Sequence, residues 1–136
     1  GKGFFPIIST MPKDNHSLLQ LYLDGPKNNF FSFFSTKEKN SFKFNKSFLI
    51  SELNQLKSKN IDEVLHAQKK ATQNVFKNKR LPFRSFEIIN RNEATLGELF
   101  AFFILETLML SSLLKVNPID QPSVELIKIE TKRILK

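Results

Sequence analysis

Imidazole moves protons near neutral pH more readily than any other side chain, and this chain carries two, His16 and His66. Ser17-Leu18-Leu19-Gln20 fits a Ser-x-x-Gln capping box, which places His16 at or just before a helix N-terminus. The positive end of a helix dipole disfavours imidazolium, so a neutral ring there can exchange a proton with a bound hydroxyl. A histidine in that position can also serve only to bond a loop. His66 falls off the apolar stripe of its own helix and reads as a surface residue with no role.

A second polar group lies far along the chain, in Asn117-Pro118-Ile119-Asp120-Gln121-Pro122-Ser123-Val124-Glu125-Leu126-Ile127-Lys128. Pro122 suits a first helical position, where its missing N–H costs nothing, with Gln121 or Asp120 as the cap. Val124, Ile127, Thr131 and Ile134 then share one face, and Glu125 and Lys128 share a flank. The polar cluster is Asp120, Gln121, Glu125 and Lys128. On residue types alone it reads equally as an ordinary cap followed by an i,i+3 ion pair.

The elements that must carry these groups follow from pattern. At 136 residues the chain is one domain or part of one, and 40% apolar with 25% charged residues describes a folded chain. Phe4-Phe5-Pro6-Ile7-Ile8-Ser9 reads as a short buried strand. Leu18, Leu19, Tyr22 and Leu23 give the next helix its apolar face, and Gly25-Pro26 ends it. Phe30 to Phe34 reads as a strand buried on both sides, because adjacent phenylalanines point to opposite faces. Phe42 and Phe44 follow a basic loop, and Phe48 to Leu56 suits a turn or short helix.

Asn60 can cap a helix from Ile61 or Asp62, with Ile61, Val64, Leu65, Ala71, Thr72 and Val75 as its stripe. Pro82 ends it, and Phe83 to Ile89 reads as a strand. Thr95-Leu96-Gly97-Glu98 reads as a capping box for a helix that is almost wholly apolar from Leu99 to Leu114. That run is short for a membrane span and carries Glu106 near its middle, so a core helix is expected. Its all-round apolarity asks for neighbours that so small a chain can hardly supply, which points to missing chain or a second subunit. The order strand, helix, strands, helix, strand, two helices is α/β with a mostly parallel sheet.

Composition excludes some chemistries. There is no cysteine, so disulfides and thiolate metal sites are out, and two histidines cannot build a histidine-rich metal site. A net charge of +8 admits nucleic acid or an acidic membrane as partner, and Lys27 to Lys46 interleaves lysine with phenylalanine as a single-strand binder would. Yet the lysines are dispersed, and no glycine–aromatic RNA-recognition signature is present. A non-catalytic basic binding module, for RNA or for sugar-phosphate sensing, therefore stands only as the alternative function. No charged-then-apolar leader is seen, and the start at Gly1-Lys2-Gly3 reads as a cut within a longer chain.

The C-terminal run resembles the signature of phosphoglucose isomerases: a small residue, apolar residues, then aromatic-Asp-Gln-x-Gly/Ala-Val-Glu-x-x-Lys. Ser111, Leu113, Leu114, Asp120, Gln121, Val124, Glu125 and Lys128 match, while Ile119 replaces the aromatic and Ser123 the small residue. Gly1-Lys2-Gly3, Pro6, Asp14-Asn15-His16-Ser17, Gln20 and Gly25 resemble the family's histidine segment, with Asn15 where glutamine is usual. The two signatures stand in the family's order.

The resemblance implies part of a SIS-type three-layer α/β/α sandwich with C-terminal helices. Residues 1–90 would be the remainder of the second SIS domain and 91–136 the C-terminal helices, with the N-terminal SIS domain absent. It implies a cofactor-free, cytoplasmic, homodimeric glucose-6-phosphate isomerase of glycolysis and gluconeogenesis, acting on sugar phosphates with no metal, no nucleic acid and no membrane as partner. His16 would serve ring opening as acid/base, and Lys128 would steady charge near the ring oxygen. Gln121 would lie in the substrate pocket, and Glu125 would support Lys128. The family's base glutamate and phosphate loop match nothing in these residues, so the segment is expected to be inactive alone.

Overall fold

A computed structural model describes residues 3–37, 42, 43, 51–57 and 59–136. A 3₁₀ helix at Lys13–Asn15 leads into α1 (Leu18–Asp24), β1 (Phe31–Thr36), a second 3₁₀ stretch (Ser51–Leu56) and α2 (Ile61–Asn78). β2 (Phe83–Ile88), α3 (Glu93–Leu114) and α4 (Pro122–Ile134) complete the chain. Two compact units result. One is Ile7–Asn92, and the other joins Gly1–Pro6 to Glu93–Lys136.

The first unit is organised by aromatic rings. β1 and β2 pair in parallel, Phe31 opposite Phe83 and Thr36 opposite Ile88. A parallel pair needs a long crossover, and α2 lies within it. Because strand side chains alternate, Phe31 and Phe33 share one face, and both meet Phe76 of α2 edge-on, with centroids 4.7 and 5.4 Å apart. Phe83 stands edge-on to Phe33 at 5.4 Å. Such pairs add about 0.5–1.5 kcal/mol each beyond the area they bury. Phe76, only 2% exposed, is the centre of the cluster.

The stripe expected on α2 omits this residue, while Ile61, Leu65 and Val75, which it includes, are each about 40% exposed. The correction has a simple cause. Thr72 and Phe76, four residues apart, are the buried positions of this helix, and they point where the aromatic face of β1 lies. The opposite sheet face corrects the expectation of burial on both sides. There Phe34 stacks on Phe86 at 5.0 Å and remains 49% exposed, with the Arg84 guanidinium 5.1 Å over the Phe86 ring.

Both ends of α2 are chemically explicit. The Asn60 side chain accepts the Glu63 N–H at 2.7 Å, and the Glu63 carboxylate accepts the Asn60 N–H at 2.8 Å, a reciprocal capping box. At the C-terminus the Leu81 N–H reaches back to the Phe76 carbonyl and the Arg80 N–H to that of Lys77. This is a Schellman closure with Arg80 at φ 56°, where glycine is usual. Its hydrophobic partners, Phe76 and Leu81, are both buried. α3 ends the same way, with Lys115 at φ 54° and the Val116 N–H on the Ser111 carbonyl.

Three further expectations are overturned. Phe4 to Ser9 is irregular, not a strand, and Phe5 and Ile8 are about 90% exposed; among the described residues no strand pairs with it. The Ser17–Gln20 capping box does not form, because the Gln20 amide turns forward to the Asp24 carboxylate. α3 starts at Glu93, two residues before Thr95, so Thr95 lies inside its first turn rather than capping it. Phe42 is exposed and irregular, while Phe44 and residues 48–50 lie outside the described residues.

The second unit is helical. α3 has one buried residue, Ser111, whose hydroxyl donates back to the Thr107 carbonyl at 2.7 Å. Ile104, Leu105, Met109 and Leu113 are each 60% exposed or more. The expected core helix is present as a helix, without the enclosure a core would give it in this chain. By length and composition it is the one described helix apolar enough to cross a membrane.

Candidate functional site

The C-terminal polar group is built by the start of α4. The Asn117 side chain accepts the Ile119 N–H at 3.0 Å, turning the chain around Pro118. Gln121 takes the N-cap position and Pro122 the first turn, as the residue types require. The Gln121 side chain makes no capping bond. One turn on, the Lys128 ammonium donates to the Glu125 carboxylate at 2.5 Å. Both side chains are well exposed, so the pair adds little to stability. Asp120 is exposed beside the cap.

No residue of α4 is buried, including its apolar positions Val124, Ile127 and Ile134. The helix therefore presents both its apolar face and its Glu125–Lys128 flank to whatever it meets.

His16 belongs to the other compact unit. It joins the 3₁₀ turn at Lys13–Asn15 to α1, with helical φ −72° and ψ −42°. The turn is locked by the Thr10 N–H on the Asp14 carboxylate at 2.6 Å and the Asp14 N–H on the Thr10 carbonyl at 3.0 Å. The imidazole is exposed and makes no hydrogen bond or ion pair among the described residues. The side-chain oxygen of Asn15, next door, is buried without a hydrogen-bond partner there.

His66, expected at the surface, is more enclosed than that. It is half-buried, 3.5 Å from the Asp62 carboxylate one turn earlier. It lines an open cleft of about 550 Å³ between α2 and β2 with Lys69, Gln73, Lys77, Phe83 and Glu87. His16, Gln121 and Lys128 do not line it. Its most enclosed cation, Lys69, already donates to Ser35 at 2.6 Å and faces Glu87 at 3.9 Å. That cleft is the solvated margin of the helix–sheet packing. The run 66, 69, 70, 73, 74, 77 is a polar helical stripe and was readable as such in the sequence.

Among the described residues, no three His, Asp or Glu side chains are grouped to hold a metal ion. The Asp24 carboxyl is held below its ordinary value by the Lys79 ammonium, through a hydrogen bond and its charge. That bond, 2.6 Å long, ties the end of α1 to the end of α2.

The backbone matches that of a crystal structure of a hypothetical protein from Thermus thermophilus with a TM-score of 0.80. The match is 24% identical and covers 92% of this chain and 30% of that one, which establishes a mixed α/β fold with a parallel sheet. No family model matches the chain. Curated relatives do. A glucose-6-phosphate isomerase of Mycoplasmopsis synoviae is 36% identical over 132 residues, covering 94% of this chain and 30% of that protein. A probable glucose-6-phosphate isomerase of Methanococcus maripaludis is 31% identical over 126 residues, covering 92% and 28%. The chain belongs to the glucose-6-phosphate isomerase family. It spans about a third of the length of these relatives.

Proposed function

We propose that this chain is the C-terminal portion of an enzyme that interconverts glucose 6-phosphate and fructose 6-phosphate. The reading rests on one observation above others: relatives named for that activity align along nearly all of the chain, both polar groups included. In this reading residues 1–90 complete a SIS-type α/β/α sandwich, and 91–136 are its C-terminal helices. His16 acts as acid/base in opening the sugar ring. Lys128, held by Glu125, donates to the ring oxygen as charge develops there. Gln121, whose side chain makes no capping bond, binds the sugar. The base that moves the proton between C2 and C1, and the phosphate-gripping loop, come from outside these residues. The enzyme is a homodimer in which His16 serves the neighbouring subunit's site.

The exposed imidazole supports this assignment, since a ring spent on a cap would have a partner. A general acid/base contributes typically about 10²–10⁴-fold. In a full-length isomerase carrying these residues, His16→Ala and Lys128→Ala are expected to lower kcat/KM by factors in that range, and His66→Ala by no more than about twofold. Equal, negligible effects of all three in a steady-state assay would remove the site assignment.

A further inference from the structure

The His16 ring makes no hydrogen bond or ion pair among the described residues, so its position depends on what holds its backbone. Tyr22, the chain's one tyrosine, does this from two sides. Its ring stands edge-on to Phe31 at 5.3 Å, and Phe31 stands edge-on to Phe76 in the centre of the aromatic cluster. Its hydroxyl lies 2.5 Å from the Ser9 hydroxyl, thirteen residues earlier.

That bond closes a loop. His16 lies near its middle, seven residues after Ser9 and six before Tyr22. Within the loop the Thr10–Asp14 bonds and the Asn15 N–H on the Pro12 carbonyl make the turn stiff. Outside it, Lys79 tethers Asp24 at the far end of α1. The Ser9–Tyr22 bond is the side-chain bond that spans the loop from its first residue to the helix.

We infer that Tyr22, through its hydroxyl bond to Ser9 and its ring on Phe31, is a positioning residue for His16. The inference rests on the role proposed for His16 above. Its physical basis is reach. A reacting group misplaced by 1 Å can lose on the order of 10²-fold in rate. Without the Ser9–Tyr22 bond the Thr10–Asp14 turn remains, but the loop loses its side-chain tie to α1 and to the aromatic cluster behind it.

The test is a set of variants in a full-length isomerase carrying these residues. Tyr22→Phe removes one oxygen and keeps the ring on Phe31. Ser9→Ala removes the other partner and leaves the core untouched, so it serves where Tyr22→Phe folds poorly. Each is expected to lower kcat about tenfold with KM nearly unchanged, and the double variant is expected to be no worse than either. In a His16→Ala background, Tyr22→Phe and Ser9→Ala should cost nothing further. Losses of the same factor with and without His16 would overturn the inference, since the bond would then act on the fold at large. So would full activity of both single variants while His16→Ala is impaired. Full activity of His16→Ala would instead overturn the proposed role of His16, and this inference with it.

Discussion

Of the two compact units, the one richer in apolar residues is the one that does not close on itself. In Ile7–Asn92, two short strands and one crossover helix bring Phe31, Phe33, Phe76 and Phe83 into mutual contact. In the unit that contains Glu93–Lys136, a more apolar helix buries only Ser111, and α4 buries nothing. The difference lies in geometry rather than hydrophobicity. A strand pair with a crossover helix makes a two-layer contact from a short stretch of chain. A helix apolar on every side needs neighbours all round, and one further helix cannot supply them.

Four measurements would break or sharpen that contrast, beginning with the largest effect. Phe76→Ala should destabilise the chain by about 3–5 kcal/mol in urea titration, the usual cost of emptying an aromatic core site. Met109→Ala, on the exposed side of α3, should change stability by less than about 0.5 kcal/mol. If the two substitutions cost the same, the asymmetry between the units is not real.

Next come the ends of α2. Asn60→Ala removes the reciprocal cap and should cost about 1 kcal/mol, whereas Gln121→Ala, whose side chain caps nothing, should cost little. Arg80→Gly should raise stability by up to about 1 kcal/mol, because an L-residue at positive φ is strained and glycine is not. A thermal melt that falls with Arg80→Gly would show that the arginine side chain matters more than its backbone.

The smallest expected effect concerns Asp24. The Lys79 ammonium holds its carboxyl below the ordinary 3.8. A group lowered on folding contributes stability that is present above its unfolded pKa and lost as pH falls through the folded value. Stability of the wild-type chain should therefore drop below about pH 4 by slightly more than that of Asp24→Asn. Parallel acid-denaturation profiles for the two would show that the bond has no weight in solution.

Much of the first unit was legible in its residues. Asn60 as a cap, Pro82 after a helix and Gly25 as a stop are local chemistry. Each came out where the residue type demands it, because a cap or a stop needs only neighbours within a turn. Phe76 was not legible. Its place in the core depends on the rotation of α2 over β1, and periodicity alone picked a stripe that held Thr72 but passed over Phe76 in favour of Ile61, Leu65 and Val75. Phe4 to Ser9 failed for the same reason. A strand is defined by its partner, and β propensity cannot supply one.

At the polar groups the division is similar. The sequence alone determined that Pro122 would open a helix, that Glu125 and Lys128 would pair, and that His16 would precede α1, since all three follow from spacings of a few residues. Only the tertiary structure decided that Tyr22 would join Ser9 to the aromatic core. That bond joins residues thirteen apart and exists because the chain between them turns back on itself. Local torsional and hydrogen-bond preferences act along the chain; contacts between distant residues depend on how the whole chain excludes water, and no single segment encodes that.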